Sequence, residues 1–257
     1  MTATVAHTWY MIGRQVRNLL RQPIWIAMLL IQPMVWLVLY GQLFSKVPQL
    51  RAGAGSYVEF LAPGVVVMNA FFSATWSGMS MIEDLDRSVI DRFLATPVSR
   101  VSIVLSQIVR AGLTAIIQAA VILLVGLALG VRVHAGVLGW LAVFAAAALL
   151  AAAFSGISHG LALILRREES MIGVANFVGL PLMFLSSILI AQRTMPHWME
   201  VASRFNPVNW GVIAARNAVV VGGDWGSTGV HLGYLLAVTA ATAAFATWAL
   251  RRYQRSI

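Results

Sequence analysis

The sequence contains no cysteine, a single lysine and few charges of either sign. Without cysteine there is no disulfide framework, no thiolate metal site and no thiol nucleophile. Only 11% of residues are charged and 60% are hydrophobic, whereas soluble domains carry about a quarter charged residues. The mean hydropathy of +0.81 points the same way, so an ordinary soluble domain is excluded and an all-α polytopic membrane protein is expected. No GxxxxGK[S/T] phosphate loop occurs, so the chain cannot bind ATP in that manner, and no HExxH occurs either. The net charge of +9 is read as cytoplasmic loops and lipid-facing arginines rather than as a nucleic-acid surface.

What is present is a series of apolar runs. Residues 5–22 place Trp9, Ile12, Val16, Leu19 and Leu20 on one stripe beside Arg14, Arg17 and Arg21, which predicts an interfacial amphipathic helix. A signal peptide is the competing reading, disfavoured because the following run is too long for an h-region. Six spans are predicted, over 23–44, 56–82, 101–130, 136–165, 170–191 and 229–250. The first has no charge over about 22 residues, roughly 33 Å of helix, which is enough to cross a hydrocarbon core. Pro33 should kink it. In the fourth span Ala148, Ala152, Gly156 and Gly160 recur every four residues, a spacing that lets another helix approach closely. Residues 196–221 read as two short helices around the Asn206-Pro207 break, a partly re-entrant outer hairpin.

Charge is concentrated in one place, Met81 to Arg100. An even number of spans puts both termini on one side. Arg14, Arg17, Arg21, Arg87, Arg92, Arg100, Arg110, Arg166, Arg167, Arg251, Arg252 and Arg255 collect there. By the positive-inside rule that side is the cytoplasm, and the protein belongs in the plasma (inner) membrane. Within the charged stretch Leu85, Val89 and Phe93 fall at i, i+4 and i+8, with Ile90 and Leu94 beside them. Asp84, Arg87, Ser88 and Asp91 face the other way, and Pro97 stops the pattern. A helix over 83–97 is expected, either to dock on a partner or to serve as a solvated connector.

Other chemistry is sparse. Ser155, Ser158 and His159 lie in the fourth span and raise an intramembrane hydrolase as an alternative. Ser158 and His159 are adjacent, however, and therefore point about 100° apart on a helix, so they are expected not to form a nucleophile–base pair. A secondary transporter is a second alternative. It would be expected to show an internal repeat, and no convincing one is seen. Gln32, Asn69, Phe72, Trp76 and Asn176 are candidates for a substrate path, with helix packing as the competing role.

A family resemblance rests on several motifs together. Glu83-Asp84, followed by the run Asp91-Arg92-Phe93-Leu94-Ala95-Thr96-Pro97-Val98-Ser99-Arg100, resembles the loop of the ABC-2 type transporter permeases, especially the daunorubicin-resistance-like drug and lipid exporters. The likeness continues through Leu180-Pro181-Leu182, Phe184-Leu185-Ser186-Ser187, Met195-Pro196-His197-Trp198, Phe205-Asn206-Pro207-Val208-Asn209-Trp210 and Ala215-Arg216. The resemblance implies a membrane half-transporter, paired with a second permease copy or related subunit. Separate ATP-binding-cassette ATPases would bind the ATP and magnesium, and no cofactor would sit in this chain. It also implies that 83–97 is the coupling helix, with Glu83, Asp84, Leu85, Val89, Asp91, Arg92, Phe93 and Pro97 at the contact and Glu168 and Glu169 at a smaller one. The substrate would be an amphipathic drug or lipid-like molecule. One departure stands out: the family usually has glycine where this chain has Ser88. If the helix runs straight through Ser88, Leu85, Val89 and Phe93 form one docking face. If it bends, only the 89–94 half makes the contact.

Overall fold

In lipid a long apolar segment has one local solution, the α-helix, because every backbone N–H and C=O must find its partner within the segment. In the computed structural model every regular element among the described residues is helical. Those residues are 23–47, 54–90, 100–220 and 223–255, with backbone alone for 23–29 and 100. The expected interfacial helix over 5–22 lies outside them, as do Asp91, Arg92, Phe93 and Pro97.

The helices are α1 (Pro23–Leu43), α2 (Tyr57–Thr75), α3 (Met79–Asp86), α4 (Arg100–Ala128), α5 (Gly136–Leu165), α6 (Glu168–Phe184), α7 (His197–Arg204), α8 (Pro207–Val219) and α9 (Trp225–Gln254). A single 3-10 turn, Trp76–Gly78, joins α2 to α3, and Tyr57–Asp86 forms one rod of 30 residues, about 45 Å long. That rod, α4, α5 and α9 are the four helices long and apolar enough to cross a membrane, and α1 contributes a shorter apolar helix over Leu30–Leu43. α6 has 17 residues, fewer than the roughly 20 a straight crossing takes. In the run expected as a fifth span, the helix ends at Phe184 and does not reach Ala191. The reason lies in the α8 junction described below.

α5 is the hub, packed against α2, α4, α8 and α9. Its small residues make this possible. Ala146, Ala147, Ala151 and Ala153 are fully buried, Gly156 lies against Thr242 of α9, and Gly160 lies against the ring of Phe245. A Cβ at either glycine would have no room. Two apolar cores result. The larger joins Phe60, Leu61, Val65 and Val66 of α2 to Ile122 and Leu123 of α4, Val143 and Leu150 of α5, and Val208 and Val212 of α8. The smaller, toward the other end of the rod, gathers Met81 and Ile82 with Ile103, Val104 and Ile108 of α4, Leu163 of α5, Met171 of α6 and Leu250 of α9.

The hairpin before α9 divides its labour. α7 lies on the surface, with Trp198 and Phe205 exposed. α8 is inserted between α2, α5 and α9, with Val208, Val212, Ala214, Ala215 and Ala218 fully buried. Its start is set by Asn206, whose side chain accepts the Val208 N–H, with Pro207 at the first helical position.

Candidate functional site

The charged stretch begins as the last turn of the rod. Glu83 and Asp84 belong to α3, which stops at Arg87. Glu83 and Arg87 form an i,i+4 ion pair at 3.9 Å with both side chains largely exposed, a contact that contributes little. The next residue, Ser88, has φ 52, in the left-handed region. A serine held there costs about 1 kcal/mol that a glycine would not. The chain therefore bends at Ser88 even without glycine, and residues 83–90 are not one continuous helix. The bend sends Ile90 into the smaller core at 2% exposure. Leu85 packs on that same core, while Val89 stays half-exposed. Of the apolar residues expected at a partner contact and described here, Val89 alone is not committed to the bundle.

Glu168 and Glu169 occupy the first turn of α6 and are exposed, where the helix dipole favours acidic side chains. They follow Arg166, which ends α5 in a left-handed conformation at φ 55 and lies 4.7 Å from the ring of Tyr253. α3 touches α6, so both acidic segments sit at the same end of the bundle.

Above that end the rod is interrupted by a polar seam. Thr75, Ser77 and Ser80 each donate to a carbonyl three or four residues back, Phe71, Ala74 and Ser77 respectively, and such bonds compete with regular helix geometry. The Gly78 N–H, released by the 3-10 turn, donates to Ser158 Oγ at 2.9 Å, and Ser158 donates in turn to Thr75 O at 2.6 Å. A Cβ on Gly78 would stand 2.5 Å from Ser158. Arg110 of α4 reaches Ser80 Oγ at 3.2 Å. Ser158 is thus a clamp on the break, with its hydrogen committed. His159 Nδ1 is 2.7 Å from the carbonyl of Ser155 and 3.1 Å from its hydroxyl. A carbonyl can only accept, so Nδ1 carries the proton and cannot remove one from Ser155. Among the described residues neither serine is paired with a base, so the arrangement does not support the hydrolase alternative.

The five path candidates are not gathered around one cavity. Gln32 on α1 and Asn176 on α6 are exposed, and Asn176 donates to Ile172 O in its own helix. Asn69 is 8% exposed and its Nδ2 has no hydrogen-bond partner among the described residues. Phe72 lies beside Phe71, and Trp76 is 37% exposed at the break. Among the described residues a shallow, half-open pocket lies at the opposite end of the rod, lined by Gly55, Ser56, Glu59, Arg132, His134 and Val220 among others.

Two groups of polar residues had no role assigned from the sequence. Asn209, fully buried, accepts from the N–H and hydroxyl of Ser187 at 2.9 and 2.7 Å and donates to Ser203 O at 3.0 Å. Asn206 donates to Leu182 O and Leu185 O. Arg216 donates to Ser187 O at 2.8 Å, and its guanidinium stacks 3.7 Å over the Phe60 ring. These side chains satisfy the backbone groups freed where α6 ends, which is why the helix can stop at Phe184 inside the bundle. The second group is Glu59 with His134. Its sequence signal was the Ser56-Tyr57-Val58-Glu59 capping pattern at the start of α2.

A helical bundle with four helices long and apolar enough to cross a membrane fits a multi-pass membrane protein. Residues 6–220 match the family of ABC-2 type transporters. The chain is 30% identical over 217 residues to the ycf38 transport permease of Cyanophora paradoxa, covering 82% of this chain and 73% of that protein. It is 25% identical over 256 residues to the daunorubicin resistance ABC transporter permease protein DrrB1 of Streptomyces coeruleorubidus, covering 99% and 87%. The ycf38 permease of Porphyra purpurea is 28% identical over 211 residues, covering 81% and 72%. The chain belongs to the ABC-2 type transporter family.

Proposed function

We propose that this chain is the membrane half of an exporter that moves an amphipathic drug or lipid-like molecule out of the cell, driven by ATP hydrolysis in a separate ATP-binding-cassette subunit. The observation that carries this reading is the alignment with the daunorubicin resistance permease across 99% of the chain. Six crossings, with α1 and the α6 segment completing the four long helices, place both termini in the cytoplasm. A second copy or related permease forms the other half. The acidic end of the bundle supports this. Glu83, Asp84 and Asp86 belong to α3, Glu168 and Glu169 open the neighbouring α6, and the left-handed Ser88 ends the straight course of the rod beside them. ATP-driven closure of the partner subunits then tilts the rods between inward-open and outward-open arrangements.

The test is the segment beyond the bend. Phe93→Ala should insert normally and still bind the ATPase weakly, while transport-coupled ATP hydrolysis falls severalfold. Full coupling in that variant would remove the segment from the mechanism.

A further inference from the structure

Between Asp224 and Arg251 the chain has no Asp, Glu, Lys or Arg. That is roughly 39 Å of uncharged helix, more than the hydrocarbon core of a bilayer, about 30 Å, requires. Arg251 and Arg252, in the last turn of α9, therefore stand just past the apolar layer, at the level of lipid headgroups.

One face of α9 is turned away from the bundle. Tyr234, Ala237, Ala241, Ala244 and Trp248 recur every three or four residues, the spacing of a single helical stripe, and all five are exposed. Arg251 and Arg252 continue that stripe and are exposed as well. The opposite side, with Leu235, Thr242, Ala246, Ala249 and Leu250, is buried. At the end of the stripe the Arg252 guanidinium lies 5.6 Å from the Trp248 ring. α5 runs beside α9 in the same direction, with Leu149 against Thr239 and Gly160 against Phe245. It ends at the same level, where Arg166 lies 4.7 Å from the Tyr253 ring and Arg167 follows, exposed. Two helix ends thus gather arginines around Trp248 and Tyr253, ring types that favour the membrane interface.

We propose that this end of α9 binds an anionic phospholipid, its phosphodiester held by Arg251 and Arg252 and one acyl chain lying along Trp248, Ala244 and Ala241. A guanidinium offers phosphate oxygens a planar fork of N–H donors. A soluble protein could reach the arginines but not the apolar residues of the same stripe inside the hydrocarbon, whereas a lipid covers both. A choline lipid brings its own cation to the arginines, so the site selects lipids of net negative charge. The site goes beyond the transport reading, since it requires only that α9 crosses the membrane and involves neither ATPase nor nucleotide.

The full chain, purified and reconstituted in nanodiscs, is analysed by native mass spectrometry for retained lipid. Phosphatidylglycerol and phosphatidylcholine with identical acyl chains are supplied at equal mole fraction, with and without soluble glycerophosphoglycerol. Phosphatidylglycerol should be retained at least about tenfold over phosphatidylcholine. Arg251→Gln with Arg252→Gln should abolish the preference, and Arg251→Lys with Arg252→Lys should keep most of it. Lys46→Gln with Arg132→Gln lowers the net charge by the same amount at exposed positions elsewhere and should leave the preference unchanged. Resistance to the soluble compound identifies the lipid as the occupant. The proposal is overturned by equal retention of the two lipids in the unaltered chain, or by a preference that survives the Arg251 and Arg252 glutamine pair. Equal loss in the Lys46 and Arg132 pair overturns it too, because net charge would then be the cause, as does displacement by glycerophosphoglycerol, because a free phosphodiester would then be the ligand.

Discussion

Asn209 should be among the least replaceable residues of the bundle. Asn209→Ala removes an acceptor for the Ser187 N–H and hydroxyl and a donor to Ser203 O, all in fully or nearly fully buried positions. The Ser187 hydroxyl can turn toward another acceptor and Ser203 O keeps the Asn206 N–H at 3.2 Å, but the Ser187 N–H is left without an acceptor. An unsatisfied buried group costs about 1–3 kcal/mol, which corresponds to a fall of about 5 °C in apparent melting temperature for a chain of this size. The comparison is Trp210→Phe, which deletes one bond from Nε1 to Arg204 O at the exposed edge of the same junction, where water replaces it. That change should cost under about 1 kcal/mol. Both variants are heated in the same detergent, with intrinsic fluorescence and loss of monodisperse protein as readouts. An Asn209→Ala protein melting within about 2 °C of the parent would refute the junction as the element that lets α6 end inside the bundle, given the size of the expected shift.

Other positions respond in defined directions. Ser88→Gly should raise stability by about 1 kcal/mol, because the left-handed φ of 52 carries no Cβ penalty for glycine, measured as a higher melting temperature; a fall would mean that the bend is not maintained in the membrane. Gly160→Leu drives a side chain into Phe245 of α9 and should destabilise by about 1–3 kcal/mol, lowering the yield of folded protein, whereas Gly173→Ala, with open space around it, should change little. Ser158→Ala leaves the Gly78 N–H without its acceptor, so it should destabilise by about 1–3 kcal/mol, and coupled ATP hydrolysis by a partner should fall more than partner binding does.

The helices were legible because apolar runs of membrane length have few alternatives, and the small residues at 148–160 announced a close neighbour through their spacing alone. The interruptions were not. The break at Trp76–Gly78 depends on Ser158, 80 residues further along the chain from Gly78, and no local pattern in Thr75-Trp76-Ser77-Gly78 reveals which helix will supply the clamp. The end of α6 at Phe184 depends in the same way on Asn209, 22 residues beyond Ser187. At the acidic stretch the spacing of Leu85 and Val89 allows one shared face or, with a bend at Ser88, a face limited to 89–94. A left-handed Ser88 breaks the shared face, because a single residue with positive φ redirects everything after it. Leu85 then belongs to the inner core and Val89 does not. Glu59 was overlooked for the opposite reason: it lies inside an apolar run, and its capping pattern was the only local clue.

The central claim is that the acidic end of the bundle, around the Ser88 bend, contacts an ATPase. A photo-crosslinking side chain at Val89, in membranes that also contain a partner ATPase bearing a phosphate-binding loop, tests it most directly. Val137, exposed at the opposite end of the bundle, serves as the reference site. The account predicts a crosslink to the ATPase from Val89, altered in strength by ATP, and none from Val137. Labelling of lipid alone at Val89, or capture of the ATPase from Val137, would contradict it.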